Sequence, residues 1–180
     1  LKKTDDKLEI NSLIGKKFSS SNIGDLSYSS FINFKTQWTK GYRFKKDSDG
    51  EEERTERTRF LSPGYLQIGI GLYWEKNKEF WINFAPMTGR LILVNKFFTA
   101  GLNDNQEYFG VKKGANSRFE LGASVRSFYK LEFVENVFVT NRISLYSDYL
   151  ENPENIDLDY TINTSLKVNR FLTTDLIFQF

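Results

Sequence analysis

The sequence predicts an all-β domain, an antiparallel up-and-down transmembrane β-barrel. Three observations carry that prediction: strict period-two alternation, strands longer than those of most soluble sheets, and aromatic residues gathered near strand ends. Between 155 and 169 one parity carries Ile156, Leu158, Tyr160, Ile162, Thr164, Leu166 and Val168, and the other carries Asp157, Asp159, Thr161, Asn163, Ser165 and Lys167. Successive side chains of a strand point to opposite faces, so these two sets make one apolar and one polar face. Between 117 and 133 Phe119, Leu121, Ala123, Val125, Tyr129, Leu131 and Phe133 oppose Arg118, Glu120, Gly122, Ser124, Arg126 and Lys130 in the same way.

The remaining elements follow in chain order. A weak alternation covers 8–15. Ile32, Phe34, Trp38, Tyr42 and Phe44 alternate with Asn33, Lys35, Gln37 and Arg43, and Leu66, Ile68, Ile70, Leu72 and Trp74 with Gln67, Gly69, Gly71 and Glu75. Weaker patterns run over 80–86, 90–98, 137–149 and 172–180, giving nine strand candidates in all. Turn residues separate them: Pro86-Met87-Thr88-Gly89, Glu135-Asn136 and Asn169-Arg170 predict tight turns, and Asn103-Asp104-Asn105 opens a longer loop over 99–116. The segment 45–62 falls on the short-turn side of this scheme and fits it only as an extended hairpin or through an error in the count. No segment repeats apolar residues at three and four, so no helix is expected. One domain spans 1–180.

A meander of this kind closes as a soluble barrel, folds as a sandwich or spans an outer membrane, and the direction of the apolar face separates them. Turned inward, so many bulky rings would overfill a small barrel. Strands beyond ten residues match the roughly 9–11 of a tilted membrane-spanning strand better than the soluble mode of roughly 5–6. Trp38, Tyr42, Trp74, Trp81, Tyr129, Tyr146 and Tyr149 lie toward strand ends, where an interfacial girdle needs amphipathic rings. No apolar run is long enough for a spanning helix; the best, 65–74, is interrupted by Gln67, Gly69 and Gly71. The chain opens at Leu1 without Met or an apolar h-region, so any export signal is expected to have been removed or to lie outside this sequence.

Composition bears on function mainly by exclusion. The 25 Lys+Arg and 23 Asp+Glu leave a net charge of +2, without the basic excess that phosphate neutralisation requires, so nucleic acid is not an expected partner. Cysteine and histidine are absent, which removes disulfides, thiol nucleophiles, imidazole ligands and His-dependent triads. No cofactor is expected, and the chain reads as non-enzymatic.

Four stretches, Thr4 with Asp5-Asp6-Lys7-Leu8-Glu9-Ile10-Asn11-Ser12, Asn33-Phe34-Lys35-Thr36-Gln37, Phe84-Ala85-Pro86-Met87-Thr88-Gly89-Arg90-Leu91, and Tyr149-Leu150-Glu151-Asn152-Pro153-Glu154-Asn155-Ile156-Asp157, resemble an uncharacterised family of exported outer-membrane β-barrel proteins of the Bacteroidota. The likeness spans nearly the whole chain. It implies fold, an outer-membrane location, and further strands before the Thr-Asp-Asp segment and after 171–180, and it lends no mechanism. Counting points the same way, since nine strands cannot return both ends of a single-chain barrel to the periplasm, and a barrel of roughly twelve strands is expected. The alternative is that Phe178 and Phe180 form a genuine terminal aromatic signal.

Candidate sites are few. Asp47, Asp49 and Glu51 beside Gly50 could offer oxygen ligands to Ca²⁺, but without the EF-hand spacing a solvated hairpin tip is the stronger reading. Gly69 and Gly71 fit close backbone approach or sheet curvature. Lys35, Arg118, Glu120, Arg126, Arg142, Asp157, Asp159 and Lys167 are expected to form a charged lattice lining and plugging the lumen. The leading expectation is a structural or accessory outer-membrane barrel, in contact with lipid and with other proteins of a larger export or assembly complex. A small passive channel or ligand-holding barrel is the second, and a soluble lipid or small-molecule carrier the third.

Overall fold

Alternating sequence becomes strand over most of the chain in the computed structural model, which describes residues 6–46, 52–169 and 171–180. Eight strands form the main sheet: β1 (Lys7–Ser21), β2 (Gly24–Gln37), β5 (Gly64–Asn77), β6 (Phe80–Leu93), β9 (Ser117–Val134), β10 (Val137–Asp148), β11 (Ile156–Lys167) and β12 (Thr173–Gln179). They pair in sequence order as an antiparallel up-and-down sheet. Two small hairpins stand apart, β3 (Gly41–Lys46) with β4 (Glu52–Thr58), and β7 (Glu107–Tyr108) with β8 (Val111–Lys112). A single helical turn, α1 (Lys96–Thr99), is capped by Asn95, whose side chain accepts from the Phe97 amide. The main sheet is open: its order runs from β1 to β12, and among the described residues no ladder joins those two strands.

Three boundaries differ from the sequence reading. The tight turn expected at 86–89 does not form; β6 runs through it, so two candidates merge into one strand. Pro86 and Met87 are both exposed although they are consecutive, the mark of a local break in alternation that admits a proline without reversing the chain. Residues 32–44 divide instead of forming one strand. β2 starts earlier and ends at Gln37, because the Asp6 carboxylate accepts from the amides of Trp38 (3.1 Å) and Thr39, while Tyr42 and Phe44 belong to β3. Finally, 90–98 ends as strand at Leu93 and passes into α1.

With these changes the connections alternate. Short turns join β1 to β2, β5 to β6, β9 to β10 and β11 to β12, while long segments join β2 to β5, β6 to β9 and β10 to β11. The segment 45–62, which the nine-strand scheme placed on the wrong side except as an extended hairpin or a miscount, belongs to the long connection that carries the β3–β4 hairpin. Asn136 occupies the left-handed region at φ 67° in the β9–β10 turn, a conformation Asn tolerates better than most residues. At the β11–β12 turn the Asn169 side chain accepts from the amides of Phe171 (2.8 Å) and Leu172 (3.0 Å).

The chain divides into two compact units: Leu1–Ser12, Ile32–Ile68 and Gly89–Glu120 make the first, and Leu13–Phe31, Gly69–Thr88 and Leu121–Phe180 the second.

Candidate functional site

On β5, β6 and β9 the two faces are buried in the reverse of the usual order. On β9, Phe119 and Leu121 are exposed (61% and 38%), whereas Glu120 and Ser124 are buried (2% and 1%). On β5, Ile68, Ile70 and Leu72 are exposed while Gln67 is buried. On β6, Phe84 and Met87 are exposed and Asn83, Ala85 and Thr88 are buried. Water would favour the opposite arrangement, because apolar surface gains by leaving it and an unpaired polar group loses by being buried.

Within the second unit the polar face is concave. β2 and β6 flank β5, so in a flat sheet they lie about 10 Å apart. Yet the Asn83 amide of β6 donates to the Ser29 hydroxyl of β2 at 2.6 Å. Two such short side chains meet only if the sheet bends sharply across β5. Gly69 on β5 makes room: a β-carbon there would overlap the Phe31 ring and come within 2.7 Å of Thr88 Oγ1. At Gly71 a β-carbon would collide with the backbone of Phe84 and Ala85. Of the two readings of these glycines, close approach is the one these contacts support. The Arg126 guanidinium of β9 lies 4.1 Å from the centre of the Phe31 ring of β2, although three inter-strand steps would separate the two strands by about 14 Å if the sheet were flat. Asn83 Oδ1 and Ser124 Oγ are buried without a hydrogen-bond partner among the described residues.

The first unit buries charge. Glu120 receives Arg90 Nε at 2.5 Å and Arg118 Nε at 3.1 Å, and Arg118 also reaches Glu107 (3.7 Å) and the Gly110 carbonyl (3.3 Å). Two guanidinium groups on one carboxylate provide the compensation that a buried charge requires. Further along β6 the buried residues turn apolar: Ile92, Val94, Phe98 and Val111 form a core with Tyr65, Tyr108, Phe109 and Ala115 packed on it. The long connections of this unit are tied together there. The Phe98 and Tyr108 rings stack at 5.1 Å, Tyr108 donates to the Arg57 carbonyl at 2.7 Å, and the Asn95 amide donates to the buried Ser62 hydroxyl at 2.8 Å. Burial pushes the Tyr108 hydroxyl above its ordinary value, outweighing the nearby Arg57 and Arg43 charges. In the β3–β4 hairpin region desolvation pushes the Glu56 carboxyl upward, but Arg59 at 2.7 Å and Lys40 at 3.3 Å together hold it below the usual carboxylate range.

The expected lattice is distributed over several arrangements. Arg118 and Glu120 share the buried cluster just described, whereas Arg126 and Arg142 lie over aromatic rings, Phe31 and Phe128 (5.5 Å). The register sets Asp159 in a row with Ser144 and Arg126, and Asp157 in a row with Tyr146 and Ser124, so these six positions share a face. Asp157, Asp159 and Lys167 are exposed; Lys35 is half-buried, on the parity of Asn33, whose amide donates to Asn11. The aromatic residues divide as well. Trp74 and Tyr129 meet Phe80 edge-to-face on the apolar parity, while Trp81 lies on the polar parity, stacked on Phe128 and against Tyr73. Trp38 is exposed beside Phe60, Tyr42 lies beneath Arg54 in the β3–β4 hairpin, and Tyr149 donates to the Pro86 carbonyl at 3.0 Å. Asp47, Asp49 and Glu51 lie outside the described residues, among which no cluster of acidic side chains could hold a metal ion.

Residues 1–42 match the family model described as "Protein of unknown function (DUF3078)", an uncharacterised domain of unknown function. No curated protein and no solved structure matches the chain.

Phe31, Ser29, Asn83 and Arg90 were not singled out by sequence reasoning. Phe31 left a trace, since it is an aromatic residue out of phase with Ile32 and Phe34 and on the parity of Asn33 and Lys35. Arg90 was hidden by the false turn at 86–89. Asn83 is a neutral amide whose meeting with Ser29 depends on curvature that a one-dimensional pattern does not carry.

Proposed function

We propose that the protein is a non-enzymatic β-barrel of a bacterial outer membrane, a structural or accessory component whose exposed apolar face meets lipid and, in places, other outer-membrane proteins. One observation supports this reading above the rest: residues such as Ile70, Phe84 and Phe119 face outward while Asn83, Thr88, Glu120 and Ser124 are buried. That inversion belongs to barrels in hydrocarbon, whose strands alternate apolar-out and polar-in. Alternating short and long connections fit short periplasmic turns and longer outer loops. Trp74, Phe80 and Tyr129, clustered on the apolar parity beside a short turn, fit an interfacial belt. In this reading the open edges of β1 and β12 are paired by further strands of a barrel of roughly twelve.

A soluble carrier would require the apolar parity to line a dry interior. Membrane extraction tests the proposal: the protein is expected to stay with the membrane fraction through high salt and alkaline carbonate and to leave only with detergent. Release by carbonate alone would defeat it.

A further inference from the structure

We infer that Phe31 is a built-in stopper that seals the concave polar face of the second unit against solutes. Its ring occupies the hollow left by Gly69, where any β-carbon would overlap it, and the Arg126 guanidinium covers it from β9 at 4.1 Å. The hydrogen bond from Asn83 to Ser29 draws β6 toward β2 beside it. Phe31, Ala85, Thr88 and Ser124 are all buried on this face. An aqueous lumen has no use for a phenyl ring on its polar parity; a sealed one does, because a ring closes space that small Gly, Ser and Ala side chains leave open. Phe31 is also the aromatic that breaks the alternation of its strand, so this position departs from the local rule in favour of a ring where a polar residue was expected.

This inference deepens the barrel reading, turning it from a channel toward a closed structural element, but the packing it rests on is testable without a membrane. The chain contains no cysteine, so a single introduced thiol reports one site. In detergent solution, a folded Ser124→Cys variant is expected to react with a small water-soluble maleimide roughly 100-fold more slowly than a Glu135→Cys variant at the exposed β9–β10 turn. Adding Phe31→Ala to the Ser124→Cys variant should bring the labelling rate of its thiol most of the way to that control, and Arg126→Met should produce a smaller increase. If Ser124→Cys prevents folding, Ala85→Cys on the same buried face gives the same readout. Labelling as fast as the control in the otherwise unaltered chain, or protection unchanged by Phe31→Ala, would overturn the stopper. These rates are read in detergent and carbonate extraction in membranes, so failure of the stopper and failure of the barrel reading are told apart.

Discussion

Two regions of this chain bury opposite kinds of residue. Around the long connections, Ile92, Val94, Phe98 and Val111 turn inward, as water demands of any small core. Along β5, β6 and β9, Ile70, Phe84 and Phe119 turn outward, while Asn83, Thr88 and Glu120 are enclosed. One composition produces both, so the difference is not a general shortage of apolar residues. In the barrel reading proposed above, water meets the first region, where the apolar residues hide, and hydrocarbon meets the second, where the polar ones do. β6 contains the change within one strand, from Asn83, Ala85 and Thr88 to Ile92 and then Val94 just beyond its end.

The comparison can be broken from either side. Phe98→Ala removes a ring from the conventional core and is expected to cost about 3–5 kcal/mol, seen as loss of hydrogen-exchange protection around 92–116. Glu120→Gln leaves Arg90 and Arg118 sharing a neutral partner and should cost about 3 kcal/mol, at the low end for a broken buried pair because both guanidinium groups are partly exposed. A fall in unfolding midpoint near zero would show that the cluster is solvated. Ile70→Arg is the sharpest test of the inverted region: about 2–4 kcal/mol is expected in a bilayer, whereas a water-facing site would shift by about 0.5 kcal/mol or less. Denaturant titration in lipid and in detergent separates the two.

The smallest effect concerns pH. Because the folded Glu56 carboxyl sits below its ordinary value near 4.5, its contribution is present above that pH and is lost as pH falls through the lowered value. Glu56→Gln should therefore weaken the β3–β4 region slightly at neutral pH and flatten its dependence below pH 4.5. Hydrogen exchange or proteolysis at 40–62 measures it.

Strand identity was legible in the sequence along much of the sheet: β9, β10 and β11 begin and end within a few residues of the alternating runs. The sequence was misleading where a local signal competed with sheet pairing. Pro86-Met87-Thr88-Gly89 has turn chemistry, yet β6 absorbs it by leaving Pro86 and Met87 exposed. The charged lattice was legible as a face and not as partners, because pairing depends on curvature: Arg126 reaches the Phe31 ring across two intervening strands. Small residues told the least. Gly69 and Ser29 matter through the space they leave and the short reach they allow, and neither property has a sequence period.

Nitroxide accessibility along β9 tests most directly which medium meets the exposed face. With spin labels at single cysteines introduced from 119 to 126 in the reconstituted protein, collision with oxygen should dominate at 119, 121 and 125, and should drop at 120 and 124. Collision with a water-soluble nickel chelate dominating at 119, 121 and 125 would contradict a lipid-facing apolar surface.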